Sequence, residues 1–392
     1  MNPWRGLEGL SRDIWILAAA SLVNRAGTMA LPFLVLYQTQ ALHFSVAHAG
    51  QAFVAYGLGA FIAGPLSGRL SDRMGALTLM RGSLLLSGLL MLAIPLIKTF
   101  LPFLAITFLW ALVSEGFRPA NLALLTDLAP EGQRKAVFAL NRLATNLGMS
   151  MGPALGGFIA TVSYPALFWV DGFTTLASFG VLTLFVHHQS RPTGGGVLPD
   201  GGGLRDPRFR YFLLACLPVL VVFFQHEGPL PVFLVRELHF TPAFYGTLFT
   251  VNTLIIVALE VKLNLLMAHW PHRRSLALGA WLYAIGFGGT ALATTQIGIL
   301  ATVVIWTFGE MILLPTMSDY VAHIAPAERR GEYMGLYTMA FSLAFSFGPW
   351  LGTLTYDRWG SKPLWLGCLI GGAASALLLG RIGRANLEVG GA

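Results

Sequence analysis

Residues 297–321 read IGILATVVIWTFGEMILLPTMSDYV, and the class of protein follows from this stretch. The two charged residues within it are Glu310 and Asp319. A helix needs about 20 mostly apolar residues to cross a bilayer. Because lipid offers the backbone no hydrogen-bond partners, a chain crosses it as a helix that satisfies its own amides and carbonyls. The stretch therefore predicts a membrane-spanning α-helix.

Similar runs recur along the 392-residue chain. We predict twelve spans, at 14–37, 46–70, 77–97, 101–126, 136–161, 165–186, 211–235, 242–266, 275–295, 297–321, 332–356 and 363–380. Hydrophobic residues make up 55% of the chain and charged residues 11%, whereas soluble domains carry about 25% charged residues. This composition excludes a soluble globular domain, and it excludes a disordered chain. The predicted fold class is an all-α integral membrane protein with twelve transmembrane helices.

The chain also matches itself at an offset of 196 residues. Trp110 and Pro119 correspond in this way to Trp306 and Pro315. Further matches pair Phe44, Gly50 and Phe53 with Phe240, Gly246 and Phe249, Ala129, Pro130 and Arg134 with Ala325, Pro326 and Arg330, and Gly152, Pro153 and Gly156 with Gly348, Pro349 and Gly352. A six-span unit repeated once predicts two parallel halves with a substrate site between them. We therefore predict an N-terminal six-helix bundle at 1–186, a glycine-rich cytoplasmic linker at 187–210 and a C-terminal six-helix bundle at 211–392.

The formal net charge is +7, and the basic residues are distributed unevenly between the predicted connections. The outer connections hold Lys98, Arg236, Arg358 and Lys362, whereas most of the other basic residues lie in the inner ones. By the positive-inside rule, both termini are expected in the cytoplasm of a multi-pass protein of the cell inner (plasma) membrane. Dispersed bases of this kind argue against a nucleic-acid partner. The first apolar run is expected to be a span and not a cleaved leader.

The two cysteines, Cys216 and Cys368, both lie in predicted spans, so we expect neither a disulfide framework nor a metal site. No cofactor is expected. The chain has no G-x-x-x-x-G-K-[ST] phosphate-binding loop, which argues against ATP as the energy source.

Two segments carry motifs. The inner loop between spans 2 and 3 reads Gly68-Arg69-Leu70-Ser71-Asp72-Arg73-Met74-Gly75. Glycines permit close backbone approach, and a carboxylate can cap a helix N-terminus, so we interpret Gly68, Asp72, Arg73 and Gly75 as a gating element. A turn with arginines that set the topology is the simpler alternative.

Span 5 contains the small-residue run Gly148, Gly152, Pro153, Gly156 and Gly157, which favours close helix packing and a bend.

The loop segment resembles the signature loop of the major facilitator superfamily, and the span-5 run resembles the motif of the drug:proton antiporter branch of that superfamily. The resemblance covers nearly the whole chain. It implies two pseudo-symmetric six-helix bundles and secondary active transport by alternating access. It also implies a partner for the loop at Asp127, although the two bases that end the family's loop are Ala76 and Leu77 here. Arg73 or Arg81 would have to replace them. A third family motif, in span 4, is partial, with Glu115-Gly116 present but Leu112 at the arginine position.

Ionisable residues inside the spans are the candidates for function, because a charge at the bilayer centre costs about 3 kcal/mol. We predict four proton-coupling carboxylates: Glu115, Glu310, Glu227 and Asp171. A buried carboxyl favours its neutral form, so such a group can hold a proton and release it when wetted. Glu115 and Arg118 lie on one helical face, so mutual neutralisation is the alternative to function, and Arg25 is a second possible partner of Glu115. Asp171 also suits a structural role. The predicted substrate-binding residues are Asn24, Arg25, Arg118, Asn121, Gln225, His226 and Trp306.

We therefore expect a monomeric, proton-coupled exporter of amphipathic or cationic small molecules in a lipid bilayer. Three alternatives stay open. A transporter of one anionic metabolite would bind its substrate with Arg25 and Arg118. A lipid flippase would tolerate the loss of single carboxylates. A membrane enzyme would use Ser150, which lies in a G-x-S-x-G pattern but inside an apolar helix, where the strand-turn-helix context of a nucleophile elbow is missing.

Overall fold

A computed structural model describes residues 10–129, 133–187, 202–267, 269–326 and 329–382, and within these ranges every regular element is a helix. The helical outcome follows from the composition, because a helix satisfies its backbone hydrogen bonds within one segment. The chain divides into two compact units. Unit 1 comprises Met1–Phe44, Val54–Val197 and Thr241–Thr250, and unit 2 comprises Ser45–Phe53, Leu198–Phe240 and Val251–Ala392. The predicted boundaries at 186 and 211 stay a prediction.

Unit 1 is built mainly from the first eight helices. These are α1 (Arg12–Gly27), α2 (Leu34–Leu36), α3 (Val46–Met74), α4 (Ala76–Ala93), α5 (Phe100–Ser114), α6 (Phe117–Leu128), α7 (Arg134–Val162) and α8 (Tyr164–Phe185). A cluster of buried apolar side chains joins α1, α4, α6, α7 and α8. Leu17, Met80, Leu124, Val137 and Leu182 are fully buried within it. This cluster holds the helices around the polar residues described below.

Unit 2 contains the remaining helices. These are α9 (Pro207–Phe223), α10 (Pro229–Val232), α11 (Pro242–Leu266), α12 (His272–Gly289), α13 (Gln296–Ile324), α14 (Arg330–Trp359) and α15 (Ser361–Leu379). Its buried aromatic side chains include Phe212, Tyr283, Phe287 and Trp365. The first residues of α3 belong to this unit, and the first residues of α11 belong to unit 1.

Eight helical segments among the described residues are long and apolar enough to cross a membrane. They are Val46–Gly64, Ala76–Leu96, Phe100–Leu125, Tyr164–Phe185, Pro207–Glu237, Pro242–Glu260, Gln296–Ile324 and Ser361–Leu379. Of the other helices, α1 has 16 residues, fewer than the roughly 20 that a span needs. The helix α7 includes Arg134, Lys135 and Arg142, and α12 opens with Arg273 and Arg274. The count of twelve spans stays a prediction.

The first helix of each unit is interrupted in the same way. In unit 1, α1 ends at Gly27, and α2 is followed by a π-helix over Tyr37–Ala41 and by His43 with a φ of 57°. In unit 2, α9 ends at Phe223, and α10 is followed by a π-helix over Phe233–Glu237 and by His239 with a φ of 56°. His43 and His239 are 196 residues apart, so the offset seen in the sequence also relates these unusual backbone features. The predicted span over 14–37 is therefore interrupted, and the predicted span over 211–235 lies within the helical segment Pro207–Glu237 and contains irregular turns.

Candidate functional site

Unit 1 contains a polar cavity of about 60 Å³. Its polar lining residues are Asn24, Arg25, Thr28, Tyr56, Ser83, Ser87, Ser114, Glu115, Asp171 and Thr175. Four of the predicted site residues therefore line one cavity: Asn24, Arg25, Glu115 and Asp171. They lie on or beside α1, α5 and α8, which are far apart in sequence. A polar cavity of this size has room for water or a small ion.

Glu115 enters this cavity because the helix breaks beside it. The helix α5 ends at Ser114, and α6 begins at Phe117. Gly116 weakens the helix at this point, and Pro119 is tolerated because it lies in the first turn of α6. The carboxylate of Glu115 accepts a hydrogen bond of 2.8 Å from Tyr56 Oη. Within the helical segment Phe100–Leu125, the carboxylate thus lies at the junction of α5 and α6.

The expectation that Glu115 and Arg118 neutralise each other is wrong. Arg118 lies after the break, its side chain is exposed, and no ion pair joins it to Glu115 within the described chain. The prediction assumed a continuous helix, in which residues three apart share a face. Arg118 is also absent from the cavity lining.

Arg25 supplies the positive charge of the cavity. It lies in the last turn of α1 and is partly buried, and its guanidinium group makes no hydrogen bond or ion pair with any residue that the structure describes. Its neighbour Asn24 donates a hydrogen bond of 3.3 Å from Nδ2 to Thr175 Oγ1 on α8. The cavity therefore combines one guanidinium group with the carboxylates of Glu115 and Asp171.

Asp171 holds the interruption after α1. Its side chain is 3% exposed, and Oδ2 accepts hydrogen bonds of 3.2 Å from the backbone amides of Met29 and Ala30. These amides lie just past the end of α1, and the bonds to Asp171 satisfy them inside the unit. The carboxylate thus stabilises an irregular segment inside an apolar unit. This geometry favours the structural role that the sequence left open for Asp171.

In unit 2, the predicted carboxylate Glu310 is partly buried near the middle of α13. Asn252 Nδ2 on α11 donates a hydrogen bond of 2.9 Å to Glu310 Oε2 and lies 3.0 Å from Thr307 Oγ1. A carboxylate inside a span is costly to bury unless its oxygens are bonded. Asn252 supplies that bond from the neighbouring helix.

Several aromatic side chains surround His226 in the same unit. His226 Nδ1 donates to the carbonyl of Phe223 at 2.6 Å, and Nε2 lies 3.5 Å from Glu227. The imidazole stacks on Trp306 with ring centroids 6.0 Å apart. Trp306 precedes Glu310 by four residues, which places both on one face of α13. Glu310, His226 and Trp306 therefore form one polar and aromatic site within unit 2.

Two of the predicted substrate-binding residues, Gln225 and Asn121, also join helices through their side-chain amides. Gln225 is buried, and its Nε2 donates to the carbonyls of Val221 at 2.7 Å and Gly348 at 2.9 Å. Asn121 is buried, and its Nδ2 donates to Asn141 Oδ1 at 3.0 Å. Both hydrogens of the Gln225 amide are used in this way, whereas one hydrogen of the Asn121 amide is used. Gln225 Oε1 and Asn121 Oδ1 are buried and have no hydrogen-bond partner among the described residues.

The predicted gating loop is mostly helical. Residues 68–74 belong to α3, and the turn reduces to Gly75, whose φ of 84° suits glycine. The side chains of Arg73 and Asp127 are exposed. The surroundings of Gly68 and the side chain of Asp72 lie outside the described part of the structure.

Arg81 does not replace the missing loop bases in this structure. Its Nη2 donates to the carbonyls of Leu182 at 3.0 Å and Val186 at 2.6 Å. These carbonyls end α8, where a positive charge is favourable.

The small residues of the span-5 motif bring helices together within unit 1. Three glycines face the α1 segment: Gly148, Gly152 and Gly156. A Cβ atom on Gly152 would lie 2.5 Å from the carbonyl oxygen of Thr28. A Cβ atom on Gly157 would lie 2.9 Å from Cα of Ala243, near the start of α11. The motif is therefore a packing surface on two sides of α7, with Pro153 between them.

Sequence reasoning missed the hydrogen-bond partners of both glutamates. Tyr56 and Asn252 are polar residues within predicted spans, and a buried polar group of this kind needs a hydrogen-bond partner. The partner itself lies on another helix, 59 residues away for Tyr56 and 58 for Asn252.

The chain resembles known transporters in sequence. The family model described as Major Facilitator Superfamily matches residues 16–349 and 227–386. The chain is 23% identical over 385 residues to a Bacillus subtilis protein named "Uncharacterized MFS-type transporter YqjV", covering 95% of this chain and 92% of that protein. It is 22% identical to a "Na(+), Li(+), K(+)/H(+) antiporter" of Planococcus maritimus, covering 85% of this chain and 87% of that one. It is 23% identical to "Multidrug resistance protein 1" of Bacillus subtilis, covering 81% and 82%.

A similar fold is present in a solved structure. The crystal structure of a POT family transporter in complex with a thioalcohol-conjugated peptide matches with a TM-score of 0.77 at 15% identity, covering 99% of this chain and 98% of that chain. At this identity the match concerns the fold. Together with the family match and the apolar helices, it indicates a multi-pass membrane protein. The chain belongs to the Major Facilitator Superfamily, and it is therefore a transporter and not an enzyme.

Proposed function

We propose that the chain is a proton-coupled secondary active transporter that exports amphipathic, cationic, drug-like compounds by alternating access. The placement of Glu310 carries the proposal. Its carboxylate lies within an apolar helix, is bonded by Asn252, and shares a helix face with the aromatic ring of Trp306. A carboxylate beside aromatic rings suits an amphipathic cation, because the charge and the apolar part of the ligand each find a partner.

The coupling follows from competition for one charge. A proton and a cationic substrate both neutralise the carboxylate, so each disfavours binding of the other. Exchange of one for the other then links export of the compound to entry of the proton. His226 and Glu227 form an adjacent titratable pair in the same unit. We assign them a secondary role in proton movement.

Glu115 is the second proposed coupling site. It lies at a helix break, and Tyr56 bonds one of its oxygens. Asn24, Arg25 and Asp171 line the same cavity. In this proposal Glu115 exchanges protons or cations, while Asp171 maintains the shape of the cavity.

The named relatives support an antiporter. One carries an alkali-cation/proton antiporter name, and one carries a multidrug resistance name. Both relatives are below 25% identity, so they support the proposal of an antiporter and do not specify its substrate. Membership of the drug:proton antiporter branch is part of the proposal, and it also rests on the span-5 motif.

We further propose twelve spans in two six-helix bundles, a monomer in the cell inner membrane, and both termini in the cytoplasm. The distribution of basic residues supports this orientation. We propose that Gly68, Asp72, Arg73, Gly75 and Asp127 form the gating element. The tight turn at Gly75 supports a role in which α3 and α4 move together.

One observation favours a second candidate, the transport of an anionic metabolite. Arg25 lines the cavity of unit 1, and its guanidinium group makes no hydrogen bond or ion pair with any described residue. A guanidinium group in that state is suited to a carboxylate or phosphate ligand.

Proton movement in proteoliposomes tests both candidates. Vesicles carrying an internal pH dye receive a pH gradient and then tetraphenylphosphonium, a neutral drug or an organic anion. We expect the lipophilic cation to dissipate the gradient in the wild type and to lose this effect in Glu310→Gln. Asp357→Asn, which changes an exposed carboxylate of unit 2, is the matched control and should behave as the wild type.

The other outcomes separate the candidates. If the gradient responds to organic anions alone and Arg25→Gln abolishes the response, the metabolite candidate replaces the first. A cation response that survives both Glu310→Gln and Glu115→Gln would remove the proposed coupling sites.

A further inference from the structure

Unit 2 contains a larger cavity that the transport proposal does not use. It has a volume of about 430 Å³ and lies at the end of the unit where α9 and α12 begin and where α13 and α15 end. Its main lining residues are Arg208, His272, Arg273, Tyr320, His323 and Ile382. We propose that this cavity binds a phosphate-bearing anion.

The charge of the lining is one-sided. Arg208 and Arg273 supply two guanidinium groups, and no carboxylate is among the described lining residues. Neither guanidinium forms a hydrogen bond or ion pair with the part of the chain that the structure describes. Arginine presents several donors in a fixed plane that matches the oxygens of a phosphate. Both groups are thus available to a ligand.

The backbone adds to this preference. The helix α12 has 18 residues and begins at His272, directly at the cavity. The first amides of a helix have no acceptor within the helix and carry partial positive charge. A phosphate at such a position is favoured by both features. The helix start alone would not define a site, but here it adds to two unpaired arginines.

The acidic residues nearby lie outside the lining. Asp319 accepts a hydrogen bond of 2.8 Å from His272 Nε2, and its side chain is 75% exposed. Asp206 binds the backbone amide of Arg208 at 2.8 Å and the hydroxyl of Tyr333 at 3.0 Å. Both carboxylates therefore have partners of their own. They orient the residues around the cavity and leave its interior basic.

The volume of the cavity and its apolar lining residues limit the kind of ligand that fits. A volume of 430 Å³ falls within the range of small-molecule sites. The buried side chains of Tyr320 and Ile382 provide the apolar part of the lining. The cavity therefore suits a phosphate ester with a short organic group. At the membrane end that we place in the cytoplasm, such a group belongs either to an anionic lipid headgroup or to a free phosphate ester.

Binding to the purified full-length protein tests the inference. Calorimetric titration with inorganic phosphate and with glycerol phosphate covers the free anions. Native mass spectrometry from nanodiscs of phosphatidylglycerol or phosphatidylcholine covers the lipid headgroup. We expect saturable binding that the double variant Arg208→Gln/Arg273→Gln weakens by about tenfold or more. Arg274→Gln is the matched control, because Arg274 is exposed on the same turn and does not line the cavity.

The outcomes differ for the two sources. Binding of glycerol phosphate in detergent identifies a free phosphate ester, whereas retention of phosphatidylglycerol alone identifies the lipid headgroup. The inference is overturned if no probe binds, or if Arg274→Gln weakens binding as much as the double variant. The unfolding midpoint without ligand checks that the double variant is folded. If it is not, Arg208→Lys/Arg273→Lys keeps the charge and should still weaken binding, since lysine lacks the planar fork.

Discussion

Polar residues inside this protein work in pairs that join two helices. Tyr56 bonds Glu115, and Asn252 bonds Glu310, in each case across helices distant in sequence. A buried polar group without a partner loses its solvation and gains nothing in return. Each pair therefore fixes the position of a carboxylate and offsets part of the cost of placing it in an apolar unit.

We predict that Asn252→Ala destabilises the protein by about 0.5–2 kcal/mol, because Glu310 loses its donor and Thr307 loses a neighbour. Thermal or denaturant unfolding of the detergent-solubilised protein measures the change. Asn264→Ala is a suitable comparison on the same helix. The Asn264 side chain donates to the backbone carbonyls of Glu260 and Met311 and makes no hydrogen bond to the Glu310 carboxylate. An unchanged unfolding midpoint for Asn252→Ala would show that the Asn252–Glu310 bond contributes nothing to stability.

Glycine determines how closely the helices approach. Gly148, Gly152 and Gly156 place the backbone of α7 directly against the α1 segment in unit 1. In unit 2 the same spacing recurs on α14, where Gly348 lies close to the backbone of Val221. Small residues are common at such interfaces because apolar side chains gain little by leaving lipid for one another, and close packing supplies the attraction.

We predict that Gly152→Ala destabilises the protein by about 1–3 kcal/mol, because the new Cβ atom would lie 2.5 Å from the carbonyl oxygen of Thr28. Gly180→Ala is the matched control. Gly180 lies on α8 in the same unit, and a Cβ atom there meets nothing within 4 Å. The control should be neutral or slightly stabilising, since alanine favours a helix more than glycine does. Equal unfolding midpoints for the two variants would contradict the packing role of the motif.

At the scale of the whole molecule, the two units share related backbone features, and the basic residues are distributed unevenly between the predicted connections. The interrupted first helices of the two units correspond at the same offset, including the left-handed residues His43 and His239. The exposed residue Lys98 lies in a predicted outer connection, and the exposed residue Arg274 lies in a predicted inner one. In the proposed orientation, the two positions lie on opposite sides of the membrane.

We predict that Lys98→Cys reacts with a membrane-impermeant maleimide in intact cells, whereas Arg274→Cys reacts after permeabilisation alone. The positive-inside rule is the physical basis of this expectation. The wild type supplies the background, because Cys216 and Cys368 are both buried. The opposite labelling pattern would place the termini outside the cell and reverse the proposed orientation.

Much of the candidate site was visible in the sequence as separate residues. Glu115, Glu310, His226 and Trp306 stand out because polar or aromatic groups in apolar runs are few. Their partners were not visible, because Tyr56 and Asn252 approach from other helices and nothing local in the sequence specifies that approach. The proposed Glu115–Arg118 pair failed for a related reason, since helical spacing was applied across a break at Gly116.

Hydrophobicity, charge distribution and internal repetition are properties of the chain, so they were sufficient for the membrane class, the helical fold and the two related halves. They act over each segment by itself and need no knowledge of its neighbours. The partner of each carboxylate and the contact surface of each glycine arose from packing between segments. The interruption after α1 illustrates this, because the amides of Met29 and Ala30 leave the helix and bind Asp171, a residue more than a hundred positions away. Such a bond exists once the tertiary structure has brought α8 to the end of α1, and no local property of the sequence specifies it.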